Sequence, residues 1–203
     1  MNTNLIKTAE EIEIMRKGCA ILAGIIAELE DMIDVGVTGL EIDMLAEKLI
    51  REAGCEPAFK GYGAAEGNPF PGTVCFSVND GIVHGIPSDR VILDGDVVKI
   101  DIGLIHEGYY ADMARSFLVG NVSDEAVRLV ETTRKAFYKG LATIKDGSTL
   151  FDFANAVQNH AEGKGYHMVK NLVGHGIGKG LHEAPQIPNY VSKKWITLHF
   201  MQA

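Results

Sequence analysis

The chain has 203 residues, of which 46% are hydrophobic and 23% charged, as in an ordinary globular protein that is long enough for one substantial domain. A net charge of −8 without a Lys/Arg cluster argues against DNA as a partner, and the absence of an apolar run near roughly 18 residues argues against a membrane span. The sequence shows no signal-peptide pattern, which favours a cytoplasmic location. Its three cysteines (Cys19, Cys55 and Cys75) lack C-x-x-C spacing, which argues against a disulfide framework or a zinc knuckle and suits a reducing compartment.

Two amphipathic helices are predicted at the start of the chain. Each begins with a Thr-x-x-Glu capping box, the first at Thr8 and the second at Thr38. Gly54 is expected to end the second helix. The apolar positions of the first recur at steps of three and four: Ile12, Met15, Cys19, Leu22, Ile26 and Leu29.

A glycine- and proline-rich stretch, residues 57–73, predicts a long loop, and long loops in compact domains are often functional. Residues 74–78 and 82–84 are predicted strands, joined as a hairpin through residues 79–81. His84 ends the second strand. It is either a satisfied sheet-edge histidine or a hydrogen-bond donor to substrate.

Two aspartates interrupt the next, otherwise apolar, pair of predicted strands. With a two-residue turn at His106 and Glu107, Asp101 would lie directly opposite Asp112. Directly opposed residues have Cβ atoms about 4.5–5.5 Å apart on one face of a sheet. Two carboxylates that close repel each other, and burying them costs several kcal/mol unless a cation neutralises them. The hairpin therefore predicts a divalent metal site.

Two other interpretations of this hairpin stay open at this point. One aspartate could instead neutralise Arg115 or Lys99. The register could also differ by one residue, which would place the two carboxylates on opposite faces of the sheet.

Two more helices are predicted in the second half of the chain. Ser123 caps the third helix. The pattern Thr149-x-x-Asp152 begins the fourth, and Gly163 and Gly165 end it. The expected core face of the third helix consists of Val127, Val130, Phe137 and Leu141.

A weak internal repeat relates the two helix pairs. A shift of 111 residues places Thr38 on Thr149 and Gly54 on Gly165. The alternative is that any two amphipathic helix pairs with similar caps align in this way. If the repeat is real, the counterpart of the aspartate hairpin would lie near residues 208–228.

The motif GHGIGKGLHE at residues 174–183 carries two histidines, His175 and His182, seven positions apart. It is not a phosphate loop, because Gly180 stands where Ser or Thr is required, and it is not H-E-x-x-H, because Gln186 replaces the second histidine. Single histidines are more often structural. Two on a flexible glycine-rich backbone favour a ligand or metal site.

Seven segments together resemble the methionine aminopeptidases of the shorter, bacterial type. The matching segments are residues 7–12 (KTAEEI), 75–80 (CFSVND), 83–87 (VHGIP), 99–103 (KIDIG), 110–112 (YAD), 174–178 (GHGIG) and 182–185 (HEAP). The resemblance implies an α/β (α+β) pita-bread fold over residues 1–203. Its two pseudo-symmetric halves, about 1–118 and 119–203, would surround a curved, mainly antiparallel sheet, and the internal repeat fits that symmetry.

The resemblance also implies a site. Asp101, Asp112 and His175 match three of the family's five ligands for two divalent ions (cobalt, manganese, iron or zinc), which activate a water and polarise the scissile carbonyl. His84 and His182 match histidines that bind substrate and stabilise the tetrahedral intermediate. The implied lining of the methionine pocket is Cys75, Phe59, Tyr62, Phe70 and Leu181.

The implied activity is removal of the N-terminal methionine from nascent proteins, with the ribosome as a candidate partner. The carboxyl-terminal tail departs from this pattern. The family continues beyond residue 193, where both glutamate ligands lie, whereas residues 194–203 do not resemble it and no glutamate follows Glu183. We expect the carboxyl-terminal strands to be missing, and the tail is typical of a frameshift or premature stop.

Three alternatives to this enzyme stay open. The first is a non-catalytic, peptide-binding homologue on the same scaffold, and another is a truncated fragment without function. A sibling enzyme of the Xaa-Pro or creatine amidohydrolase type is disfavoured, because those relatives usually carry an additional N-terminal domain.

Overall fold

The computed structural model describes residues 6–192 and 198–200. The chain divides into two compact units. The larger unit comprises residues 9–123 and 178–181, and all other described residues form the smaller unit. Of the tail that departs from the family pattern, only residues 198–200 lie within the described part. None of the described helices is long and apolar enough to cross a bilayer.

The two predicted amino-terminal helices are confirmed. Helix α1 spans Ala9–Met32, directly after Thr8, and helix α2 spans Gly39–Glu52. The capping box of α2 is formed: the Thr38 hydroxyl accepts from the Glu41 N–H, and the Glu41 carboxylate accepts from the Thr38 N–H at 2.8 Å. These bonds satisfy donors that have no partner within the helix and so fix where α2 begins.

Four strands form the sheet of the larger unit: β1 (Glu56–Pro57), β2 (Val74–Val78), β3 (Val97–His106) and β4 (Tyr109–Leu118). All pairings are antiparallel. Strand β4 runs along one edge of β3, while β2 and the short β1 follow one another along its other edge. The predicted strand at residues 82–84 is wrong, because this segment returns beside β2 as irregular chain.

Alternation along β3 separates a core face from a second face. The residues at even positions, Val98, Ile100, Ile102 and Leu104, are fully buried. They pack in one cluster with Leu22, Ile26 and Leu29 of α1 and with Ile42, Ala46 and Ile50 of α2. Residues 99, 101 and 103 therefore lie on the face directed away from the helices.

The turn between β3 and β4 consists of Glu107 and Gly108, not of His106 and Glu107 as predicted. His106 instead pairs with Tyr109 in the ladder. Glu107 has φ of 48° and Gly108 has φ of 81°. Positive φ at both central residues is the type I′ geometry, whose twist suits a two-residue hairpin.

This turn changes the register by one residue on each strand, so the prediction that the two aspartates are directly opposed is wrong. Asp101 lies opposite Ala114. Asp112 lies opposite Gly103. Because side chains alternate with a period of two, Gly103 shares a face with Asp101. The aspartates are diagonal neighbours on one face of the sheet.

The smaller unit contains helices α3 (Asp124–Leu141) and α4 (Leu150–Glu162), which confirm the second predicted helix pair. It also contains strands β5 (Gly174–Gly176) and β6 (Glu183–Ile187), paired antiparallel with a bulge at the histidine of β5. The glycine motif is thus strand and turn rather than a phosphate-binding helix start. Phe153 and Val157 of α4 form the centre of a small core.

The predicted core face of α3 lies on the wrong side of the helix. Phe137 and Leu141 are 51% and 45% exposed, and Val127 and Val130 are only half-buried. The side that is buried in this unit consists of Thr132, Ala136 and Gly140.

Backbone contacts support the internal repeat. In the larger unit the carbonyl of Ile92 accepts from the N–H of residue 36 at 3.0 Å, and its N–H donates to the carbonyl of residue 37 at 2.8 Å. In the smaller unit Phe200 makes the same two bonds with residues 147 and 148, at 3.0 and 2.7 Å. Helix α4 also has a capping box, between Thr149 and Asp152, in the position of the capping box of α2.

Candidate metal centre

The two hairpin aspartates contact each other. Although Asp101 and Asp112 are diagonal rather than directly opposed, their carboxyl groups are hydrogen-bonded to one another. The residue opposite Asp112 is Gly103, which carries no side chain. Glycine within a strand often marks a place where another group approaches closely.

Burial and the neighbouring carboxylate change the protonation of this pair. Desolvation, followed by repulsion from Asp112, raises the pKa of Asp101 to about 7. A carboxyl group that resists ionisation beside a second carboxylate lacks a positive partner. Two acidic oxygen donors in this state fit a hard or borderline divalent cation, whose charge would favour both ionised carboxylates.

Neither candidate counter-ion from the sequence pairs with the aspartates. Arg115 lies on β4 opposite Ile100, on the core side of the ladder, and its guanidinium contacts Glu30 at 3.2 Å. Lys99 shares a face with Asp101, but its Nζ donates to the carbonyl of residue 79 at 2.6 Å. Arg115 and Lys99 are therefore not the counter-ions of this pair, and the metal site stays a prediction.

Cys75 lies beside the aspartate pair. It is directly opposite Asp101 in the β2–β3 ladder and is 6% exposed. Burial, together with the charges of Asp101 and Asp112, raises the pKa of its thiol to about 12. The thiol therefore stays protonated and is suited to line an apolar slot rather than to bind a metal as thiolate.

An aromatic ring lies over the glycine of this face. A Cβ placed on Gly103 would be 2.8 Å from Cε1 of Phe59, so the ring of Phe59 fills the space that a side chain there would need. Phe59 is 7% exposed. The structure thus brings two of the predicted pocket residues, Cys75 and Phe59, to the face that carries the aspartates.

The remaining predicted pocket residues of the larger unit are less clustered. Tyr62 is half-exposed and Phe70 half-buried, and the N–H of Phe70 donates to the carbonyl of Tyr62 at 2.8 Å, which closes the loop on itself. Leu181 is 5% exposed and follows Gly178, whose carbonyl accepts from β4. Their assignment to a methionine pocket stays a prediction.

His84 has an unusual backbone. Its φ is 58°, a left-handed value that is uncommon for a residue other than glycine. Its N–H donates to the thiol of Cys75, and the next residue, Gly85, accepts from the N–H of Phe76 at 2.8 Å. The β2 strand thus holds the backbone of His84 in a strained conformation, which is a common sign of a functional position.

The two histidines of the glycine motif lie together in the smaller unit. The ring centroids of His175 and His182 are 4.3 Å apart. The Nδ1 of His175 is 3.0 Å from the carbonyl of Gly176, so Nδ1–H donates and the ring lone pair is on Nε2. A backbone acceptor on one nitrogen commonly orients a histidine that binds metal through the other.

The sequence analysis missed two contributors to these sites. Gly103, which admits Phe59, is signalled by a glycine inside an otherwise continuous strand. Lys7 pairs with Glu183 at 2.6 Å and fixes the residue after His182. No local pattern indicates that ion pair, because its partners are 176 positions apart.

The described residues do not contain a group of three or more His, Cys, Asp and Glu side chains that could hold a metal ion. The case for a bound cation therefore depends on two features: the Asp101–Asp112 pair of the larger unit, and the tautomer of His175 in the smaller unit. Both are donor arrangements suited to a divalent ion.

Comparison with known proteins identifies the family. Residues 13–199 match the model of metallopeptidase family M24. Methionine aminopeptidase 1 of Bacillus subtilis is 44% identical over 184 residues, which cover 91% of this chain and 72% of that protein.

Solved structures agree with this relationship. The methionine aminopeptidase of Rickettsia prowazekii superposes with a TM-score of 0.87 at 33% identity, covering 91% of this chain and 73% of that one. That of Thermotoga maritima gives 0.87 at 36% identity, covering 92% and 74%. These similarities confirm the predicted pita-bread fold class. The chain belongs to metallopeptidase family M24 and, within it, to the methionine aminopeptidases.

Proposed function

We propose that this chain removes the N-terminal methionine from peptides by metal-activated hydrolysis, with Asp101 and Asp112 as carboxylate ligands and His175 as the nitrogen ligand. The observation that carries the proposal is the acidic pair: both aspartates are half-buried on one face of the sheet, and desolvation and Asp112 raise the pKa of Asp101 to about 7. The relatives named methionine aminopeptidases support the same reaction. Membership of the family makes the chain a metallo-exopeptidase by descent.

The proposed cofactor is a pair of divalent ions, drawn from cobalt, manganese, iron and zinc, which Asp101, Asp112 and His175 would help to hold. Such ions lower the pKa of water and polarise a carbonyl as Lewis acids. The chain's own contribution is to hold two carboxylates on one rigid strand pair, so that they are in place before substrate arrives. The resemblance places the two glutamate ligands of the family after residue 193.

Two histidines are proposed to act on the substrate. His84 and His182 would donate hydrogen bonds to the peptide and to the negatively charged oxygen that develops during hydrolysis. The left-handed backbone of His84 supports this role, because strained backbone conformations are common at functional positions.

The proposed substrate is a peptide whose first residue is methionine. Cys75 and Phe59 present a protonated thiol and an aromatic ring on the face that carries the aspartates, and a thioether is attracted to such polarisable surroundings. Tyr62, Phe70 and Leu181 would complete this lining. The free state of all three cysteines is in keeping with a cytoplasmic location, where nascent chains and the ribosome would be its partners.

An assay of methionine release tests this proposal. The chain is mixed with a Met-Gly-Ser peptide and either manganese, cobalt or a chelator, beside an Asp101→Ala variant. We expect release that requires the added metal and is lost in the variant, since removing one carboxylate of the pair weakens cation binding. Equal signals from both proteins, independent of metal, would contradict the proposal. Peptide binding without release would favour the non-catalytic alternative.

A further inference from the structure

A cavity of about 480 Å³ lies within the smaller unit, lined by α3 and by the carboxyl-terminal end of α4. Pockets that bind small molecules have volumes of roughly 300–1,000 Å³. Arg128 and Lys135 of α3 line one wall, and because they are seven positions apart they lie on the same face of that helix. The other wall contains His160, Lys164 and Tyr166. The residues that line this cavity do not include any of the proposed metal or substrate ligands.

The wall of the cavity carries an excess of positive charge. Its carboxylates are those of Glu125 and Glu131, and Glu131 forms an ion pair with Lys135 at 2.8 Å. Arg128 and Lys164 have no ion pair with any residue in the described part of the chain. Two free cations therefore stand against one free carboxylate, in a chain whose net charge is −8. A bound anion would balance this local excess.

His160 lies in the same positive surroundings. Desolvation, followed by the charges of Lys139, Lys164 and Lys135, lowers the pKa of its imidazole. Its Nε2 is shielded from solvent, and no described group lies within hydrogen-bond distance of that nitrogen. Three lysines thus act on one histidine, and no acceptor at Nε2 stabilises its charged form. A buried polar atom without a partner is rare in a folded protein and calls for an explanation.

We propose that this cavity binds a small organic phosphate, with the phosphate group against Arg128 and Lys164 and the organic part against the ring of Tyr166. Arginine forms paired hydrogen bonds with phosphate oxygens, and lysine adds a compact positive charge. Tyr166 is half-buried, so its ring offers an aromatic surface to an apolar group. The excess of cations in the wall disfavours a metal ion as the occupant. The inference concerns a second site and does not depend on the proposed reaction.

Titration of the chain with phenyl phosphate, followed by NMR of the His160 ring protons, tests the inference. A chelator is present throughout, so that the ligand does not bind through a metal ion. The variant His160→Gln identifies the resonances. Arg128→Gln and Lys164→Gln each remove one charge at an exposed position of the wall. Lys145→Gln is the matched control, because Lys145 is also exposed, belongs to the same unit and does not line the cavity.

We expect saturable shifts of the His160 resonances and a higher pKa of His160 in the complex, because a nearby anion favours the charged imidazole. Arg128→Gln and Lys164→Gln should each weaken binding at least about fivefold, and Lys145→Gln less than about twofold. Inorganic phosphate should bind at least about threefold more weakly than phenyl phosphate, because it lacks a ring to contact Tyr166. The absence of saturable shifts, equal weakening by all three variants, or equal affinity for inorganic phosphate would overturn the inference.

Discussion

Asp101 and Asp112 lie on neighbouring strands two register positions apart, on the same face of the sheet, with their carboxyl groups in hydrogen-bond contact. A diagonal arrangement leaves Gly103, rather than a side chain, opposite Asp112. The ring of Phe59 lies over this glycine, on the face that carries the pair. The predictions below follow from this arrangement and from the contacts that hold it.

Stability should fall with rising pH when no metal is added. The pKa of Asp101 is raised to about 7 in the folded state, above its unfolded value of about 3.9, so the folded chain binds more protons between these values. Its free energy of unfolding then declines as pH rises through this window. Asp101→Asn has no carboxyl group to ionise, so the variant avoids this loss of stability. At about pH 8 it should be more stable than the parent chain by on the order of 1–2 kcal/mol, a value discounted for residual solvent exposure.

Urea denaturation in the presence of a chelator measures this difference. The advantage of Asp101→Asn should shrink towards zero as pH falls to about 4, where the unfolded carboxyl is also half protonated. Asp80→Asn, at an exposed position, is the matched control and should show no such trend. The same advantage at every pH would contradict the titration assigned to Asp101.

A side chain at residue 103 should disturb the site. Gly103→Ala places a Cβ 2.8 Å from the ring of Phe59 and 3.0 Å from Ala58, which overpacks this face. We expect a loss of about 1–3 kcal/mol of unfolding free energy. The substitution is measured against Gly24→Ala in α1, where an added Cβ meets nothing within 4 Å. Equal stability of the two variants would show that Phe59 does not occupy this space.

The left-handed backbone of His84 should cost stability. His84→Gly relieves a φ of 58° and is expected to raise the unfolding free energy by on the order of 1 kcal/mol, while lowering methionine release. His84→Asn, which tolerates the same φ, should keep stability near that of the parent chain. A destabilised glycine variant would show that the His84 side chain contributes packing and that the backbone strain is not the controlling factor.

A buried carboxylate ties α2 to β2. Asp43 is 8% exposed, and its Oδ1 accepts from the N–H groups of Thr73 and Val74 at 2.6 and 2.9 Å. Asp43→Ala leaves both donors without this acceptor and should cost about 1–3 kcal/mol in thermal or urea unfolding. Met44→Ala, at an adjacent position that is 62% exposed, should change stability far less. Similar losses in both variants would contradict this role for Asp43.

Local signals in the sequence were sufficient for the helices. The Thr-x-x-Glu and Thr-x-x-Asp patterns at Thr38 and Thr149 form the capping boxes that were expected, because a cap depends only on residues three positions apart. The presence of two aspartates on one face was also predictable. With a two-residue turn at either position, each odd-numbered residue of β3 pairs with an even-numbered residue of β4. Paired residues share a face of the sheet, so Asp101 and Asp112 lie on the same face in both registers.

Features that depend on distant contacts or unusual backbone were not predictable. The turn shifted by one residue because Glu107 adopts a positive φ, which its residue type does not favour. Residues 82–84 have strand-like composition, but close approach of Gly85 to β2 replaces ladder pairing there. Phe137 was expected in the core face of α3, whereas its side chain is 51% exposed among the described residues.

Calorimetric titration of the intact chain with manganese at about pH 7.5 tests the central claim most directly. If the acidic pair holds a divalent cation, the parent chain and Asp80→Asn bind it with similar affinity. Asp101→Asn and Asp112→Asn should then weaken binding by at least about tenfold, as expected for loss of one ligand. Heats that are indistinguishable among all four proteins would contradict cation binding by Asp101 and Asp112.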